Sequence, residues 1–119
     1  MFNSDYDQPE KIITVVFNML QTLAHKTATE KGFWENPPEI GTSIALMHSE
    51  LSEALEVARK NVKEVSVKIP HVPHIAEELA DCIIRMLDFA EYHKLNLGEA
   101  IFSKMRYNEN RGYKHGKRF

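Results

Sequence analysis

The chain has 119 residues, of which 43% are hydrophobic and 27% charged, and a net charge of −2. That balance fits one soluble folded domain and excludes a disordered or fibrous chain. A single cysteine, Cys82, rules out an internal disulfide and a multi-cysteine zinc site, and the longest apolar run, residues 12–17, falls well short of the ~18–20 residues that span a bilayer. The acidic start, Met1 to Asp7, does not read as a signal peptide, and a cytoplasmic location with no membrane contact is expected.

In chain order, Pro9 precedes a long stretch of helix-forming composition. Gly32, Pro37, Pro38 and Gly41 interrupt it, Pro70 and Pro73 mark the next break, and Gly98, Gly112 and Gly116 follow. Helices are predicted near 9–31, 41–61, 73–95 and 97–108. Residues 62–72 alternate weakly in polarity, but one strand without a partner is not stable, so an extended loop is expected. Residues 109–119 hold two glycines and little apolar content, and read as a basic tail that orders only against something else. The fold expected for residues 1–119 is therefore a single all-α domain resembling a four-helix bundle. The first helix carries a wide apolar stripe (Ile12, Ile13, Val16, Phe17, Leu20, Leu23, Ala24), whose burial points to a homodimer or homotetramer.

On a wheel drawn at ~100° per residue, Glu50 of the second helix falls between two apolar groups, Leu46 with Val57 on one side and the arc of Met47, Leu51, Ala54, Leu55 and Ala58 on the other, with Glu53 beside Leu46. A carboxylate in an apolar arc is costly to bury unless it is paired or binds a cation. In the third helix Glu78 and Asp81 repeat the i, i+3 spacing, on a stripe with Arg85 and Asp88 that also reads as a wet face, with Arg85 able to neutralise Asp81 at i+4. Two facing helices would bring four carboxylates together, and a hard divalent cation such as Mg²⁺, with Mn²⁺ as a substitute, resolves their repulsion. No Glu-x-x-His occurs, which argues against a ferritin-like di-iron site. Ordinary surface glutamates on a charged helix remain an equal reading of the spacing alone.

Charge is unevenly spread. Residues 104–119 hold six basic side chains and one acidic, whereas residues 1–103 hold nine basic and sixteen acidic. Lys104, Asn108 and Arg111 recur near helical spacing, and Lys114, His115, Lys117 and Arg118 follow. Cations with an amide suit a triphosphate; a solvated basic terminus is the plainer account. Nucleic-acid binding is not expected, because the acidic body opposes it.

The segment from Ile44 to Glu56, followed by Glu77-Glu78-Leu79-Ala80-Asp81, resembles the MazG-like, all-α nucleoside triphosphate pyrophosphohydrolase superfamily, whose signature is Glu-x-x-Glu, a spacer, then Glu-x-x-Asp. The ending from Lys104 to Phe119 is similar to tails of small single-domain members. The likeness covers roughly residues 25–119. It implies Mg²⁺-dependent hydrolysis of a nucleoside triphosphate to the monophosphate and pyrophosphate, as nucleotide-pool house-cleaning. It also implies metal ligation by Glu50, Glu53, Glu78 and Asp81, with Glu50 or Glu53 orienting the attacking water, and phosphate contact by Lys104, Asn108, Arg111 and Lys117. Trp34 and His25 match positions that some members place beside the base. Ser49 departs from the Glu that many members carry before the first acidic pair, and Arg85 from an aromatic in some relatives, so substrate choice is not carried over. Phosphoribosyl-ATP pyrophosphohydrolase and a non-catalytic, metal-stabilised helical module that binds nucleotide or protein are the competing expectations.

Other residues have plainer readings. Trp34 is equally a plug for the bundle end or a stacking platform. His48 reads as a surface or interface histidine. His71 and His74 have His-x-x-His spacing but no further zinc ligand nearby in sequence. Cys82 reads as a small core residue, and Met47, Met86 and Met105 as core filler.

Overall fold

The computed structural model describes residues 8–119; the Met1–Asp7 stretch discussed above lies outside them. The protein is all-helical, consistent with a helical bundle, with α1 spanning Pro9–Glu30, α2 Ile40–Asn61, α3 His74–Tyr92 and α4 Leu97–Glu109. The described residues contain no strand, only an isolated bridge between Val65 and Pro73. None of their helices is long and apolar enough to cross a membrane.

The helix ends follow local chemistry. Proline stands at the start of α1, where its missing N–H costs nothing. Gly32 ends that helix with φ +88°, a left-handed turn that a side chain would disfavour. The Asn96 side chain caps α4 by accepting from the Glu99 N–H at 3.0 Å.

The principal packing pairs are α2 with α3, α3 with α1 and α1 with α4. Gly98 lets α4 approach α1: a Cβ there would stand 2.9 Å from Phe17 Cβ and 3.0 Å from Thr14 Cα. Nearby, buried Gln21 donates from Nε2 to Leu95 O at 3.0 Å and accepts from the Leu97 N–H at 3.2 Å, tying α1 to the α3–α4 turn. Gly98→Ala is expected to cost about 1–3 kcal/mol through overpacking, read as a lowered urea midpoint with the slope unchanged.

Residues 62–72, expected as an extended loop, form no helix or strand but fold into turns and are firmly knit. Ser66 is buried; its N–H donates to Val72 O at 2.9 Å, its Oγ accepts from the Lys68 and Ile69 N–H groups, and its hydroxyl donates to Glu77. Residues 109–119 also have structure of their own, a 3₁₀ turn over Tyr113–Gly116 with Lys114 and His115 in left-handed conformation.

Buried apolar residues are few and mostly small: Ala54, Val57, Cys82, Leu87 and Ala90. Cys82 is the core residue it was expected to be. Met105, 54% exposed, is not core filler, Met86 is 37% exposed, and Met47 is half-buried. Of the α1 stripe, Ile13, Phe17 and Ala24 are half-buried, whereas Ile12 and Leu23 are 57% and 59% exposed. The apolar face of α1 is wider than the surface that α3 and α4 offer it.

Candidate metal centre and adjoining cavity

The Cys82 thiol donates to the Met47 carbonyl at 3.4 Å, and Glu53 stands near enough to Glu78 to affect its protonation. Higher residue numbers on α2 thus face lower ones on α3, so the helices run antiparallel and their acidic pairs converge. Glu50, Glu78 and Asp81 each present an oxygen within 4.8 Å of the other two. Glu50 and Glu78 are buried, Asp81 is half-buried and Glu53 is exposed at the rim. The Glu78–Asp81 stripe is therefore an interhelical face and not a wet one.

Arg85 does not neutralise Asp81 along its own helix. Its Nε donates to Glu50 Oε1 at 2.8 Å, across to α2. One guanidinium then faces a group of carboxylates, and the remaining repulsion shows in their protonation. Burial, and next the Glu53 carboxyl beside it, push Glu78 above the ordinary glutamate value, against the pull of His74. Burial, and next the Glu50 charge, push Asp81 up, with Lys68 and Arg85 opposing. Among the described residues Glu78 Oε2 is buried and meets no hydrogen-bond donor, since the neighbouring Glu53 carboxylate is itself an acceptor. An all-oxygen donor set, an orphaned carboxylate oxygen and two carboxyls short of counter-charge fit a hard divalent cation.

A cavity of about 680 Å³ leads away from these groups. Glu50, Asp81 and Arg85 line it together with Trp34, Asp88 and Lys31. Beside it, the Trp34 indole N–H donates to Asp88 Oδ1 at 2.8 Å, and the same oxygen lies 2.8 Å from His25 Nδ1. Trp34 stacks on Tyr92 with ring centroids 3.9 Å apart, and His25 meets Trp34 edge-on at 5.5 Å. His25 and Trp34 are thus brought together, and Trp34 is a wall of the cavity as well as a packed residue. Asp88, Tyr92 and Lys31 were missed in the sequence. Asp88 lies two helical turns beyond Asp81 on one stripe, which was the available signal.

The basic set lies elsewhere. Lys104, Asn108, Arg111 and Lys117 belong to α4 and the segment after it, and none lines the cavity. Lys104 and Arg111 do share one side, both over the Tyr107 ring at 4.5 and 5.7 Å. Asn108 keeps a buried, unpartnered Oδ1. His71 is exposed and apart from the acidic groups, whereas His74 contacts Glu64 and Glu78. A scan against models of protein families, a search of curated proteins and a search of solved structures each return no match.

Proposed function

We propose that this protein is an Mg²⁺-dependent nucleoside triphosphate pyrophosphohydrolase of the MazG-like kind, with Mn²⁺ able to substitute, releasing the monophosphate and pyrophosphate. The observation that carries the reading is the convergence of Glu50, Glu78 and Asp81, with an orphaned Glu78 oxygen, beside a cavity walled by an indole. In this reading Glu50, Glu53, Glu78 and Asp81 hold the metal, which supplies charge against the build-up on the phosphate oxygens. Arg85 occupies one oxygen of Glu50, so the exposed Glu53 is the freer group to orient the attacking water. Trp34 offers a face to the base, and Asp88 fixes both Trp34 and His25.

Lys104, Asn108, Arg111 and Lys117 take the phosphates when a second copy brings them to the cavity. The uncovered α1 stripe and the opposite charges of body and tail favour such a homodimer or homotetramer. A cytoplasmic nucleotide-pool role goes with this chemistry. The position of these cations outside the cavity also favours a second reading, a metal-stabilised module that binds nucleotide without turnover.

Incubation with a panel of NTPs and dNTPs and Mg²⁺, with products resolved by ion exchange, separates the two. Monophosphate and pyrophosphate are expected; diphosphate with orthophosphate contradicts the assignment, and binding without products selects the module. Trp34→Ala is expected to raise KM for the preferred nucleotide roughly 10–100-fold with a smaller effect on kcat, since base–aromatic stacking is worth about 1–3 kcal/mol.

A further inference from the structure

His74 opens α3, and its two ring nitrogens meet different partners. Nδ1 lies 2.6 Å from Glu64 Oε2, a half-exposed carboxylate on the 62–73 connection, and Nε2 lies 2.9 Å from Glu78 Oε1. A histidine that commits one ring N–H to a carboxylate has its tautomer and orientation fixed, which is how metal-binding histidines are usually held. Glu77 joins the group: His74, Glu77 and Glu78 each present a donor atom within 4.8 Å of the other two. The buried Ser66 hydroxyl, donating to Glu77, steadies that carboxylate from behind.

Ion pairing alone would account for part of this, with a protonated His74 bridging Glu64 and Glu78. It leaves Glu78 half satisfied. That side chain is 8% exposed and lines a cleft of about 450 Å³ with His74, Glu64 and Glu53, and its Oε2 meets no donor among the described residues. A buried acceptor without a partner costs about 1–3 kcal/mol. A proton on His74 cannot relieve it, because His74 reaches only the other oxygen.

We propose that His74, Glu77 and Glu78 form a second cation site, with Glu64 as the outer hydrogen-bond partner of His74. The imidazole nitrogen suits this site to a borderline transition metal such as Zn²⁺, in contrast to the all-oxygen group of Glu50, Glu78 and Asp81. Glu78 is the carboxylate common to both. The inference goes beyond the pyrophosphohydrolase reading and does not require it.

Co²⁺ reports nitrogen ligation in its visible absorption and serves as the probe. It is titrated into the full chain at neutral pH with Mg²⁺ in excess, so that the oxygen-only group is occupied by the harder ion. The wild type is expected to bind one Co²⁺ per chain. Losing an outer partner of a metal ligand typically costs about 10–100-fold in affinity, and losing the ligand itself no less. His74→Gln is therefore expected to weaken Co²⁺ binding by about tenfold or more and to change its spectrum, with the helical circular dichroism retained. Glu64→Gln, which alters only the outer partner, weakens it as well, and it serves alone if His74→Gln does not fold. No Co²⁺ uptake by the wild type, or unchanged affinity in a folded variant, overturns the proposal. Turnover is not read, so an inactive protein leaves the result standing, and an active one does not rescue it.

Discussion

Glu78→Gln is expected to lower Mg²⁺-dependent turnover on the order of 100-fold or more while making the metal-free protein more stable. The two effects have one cause. Glu78 stands where the α2 and α3 carboxylates converge, buried, with one oxygen unpartnered. With a cation present it is a ligand, and even outer partners of metal ligands are worth about 10–100-fold. Without one it is a buried acid held above its ordinary value by burial and by the neighbouring Glu53 and Asp81 carboxyls. A neutral amide of the same shape removes that charge and can donate to Glu53, while its oxygen still accepts from His74. Glu53→Gln, at the exposed rim, should lose turnover too but gain less stability. Steady-state kinetics and urea unfolding in EDTA check both. Full activity in Glu78→Gln would remove it from the metal site, and a large loss of metal-free stability would contradict the account of its burial.

Helices were legible because each level of the sequence agreed. Pro9 and Gly32, then Gly41, Pro73 and Gly98, bracket segments with apolar residues at helical spacing, and the observed bounds lie within a few residues of those expected. Glu50 was legible as unusual because it interrupts an apolar arc. Glu78 and Asp81 were ambiguous for a physical reason. A polar stripe on an amphipathic helix looks the same whether it meets water or another helix's carboxylates, and only packing decides. Arg85 shows the same limit. Its local partner at i+4 is Asp81, but the antiparallel register of α2 and α3 offers Glu50, which is buried and in greater need of a counter-charge. Asp88 was visible on the Asp81 stripe, but its role was not, because both residues that bond it, His25 and Trp34, lie far off in the chain. The charge of the last sixteen residues was plain, yet charge carries no address, and α4 packs on α1 with its cations away from the cavity.

Metal-free protein is expected to be most stable at mildly acidic pH and to weaken toward neutrality, with Mg²⁺ reversing the trend. Glu78 and Asp81 have folded-state values above their ordinary ones, for burial first and neighbouring carboxylates second. Between the ordinary value of ~4 and the raised folded value, the folded chain binds more protons than the unfolded chain. Stability therefore falls as pH rises through that interval. His74 acts in the same direction. The Glu64 hydrogen bond, with that of Glu78, holds it above its ordinary value of ~6.5, so what it contributes is complete below that value and is lost as pH rises through the folded one. All three groups thus favour the acidic side, opposite to a protein whose carboxylates are already paired with cations. Mg²⁺ competes with the same protons, so its affinity climbs as they leave. At about a hundred times its Kd it adds about 2.7 kcal/mol to the folded state, or about 10 °C in Tm for a chain of this size. Thermal unfolding across the range from mildly acidic to mildly basic pH, in EDTA and in saturating Mg²⁺, should give two curves that diverge as pH rises. Parallel curves would mean that the ion binds away from Glu78 and Asp81, and a metal-free protein that gains stability toward neutral pH would mean that these carboxylates already have their counter-charge.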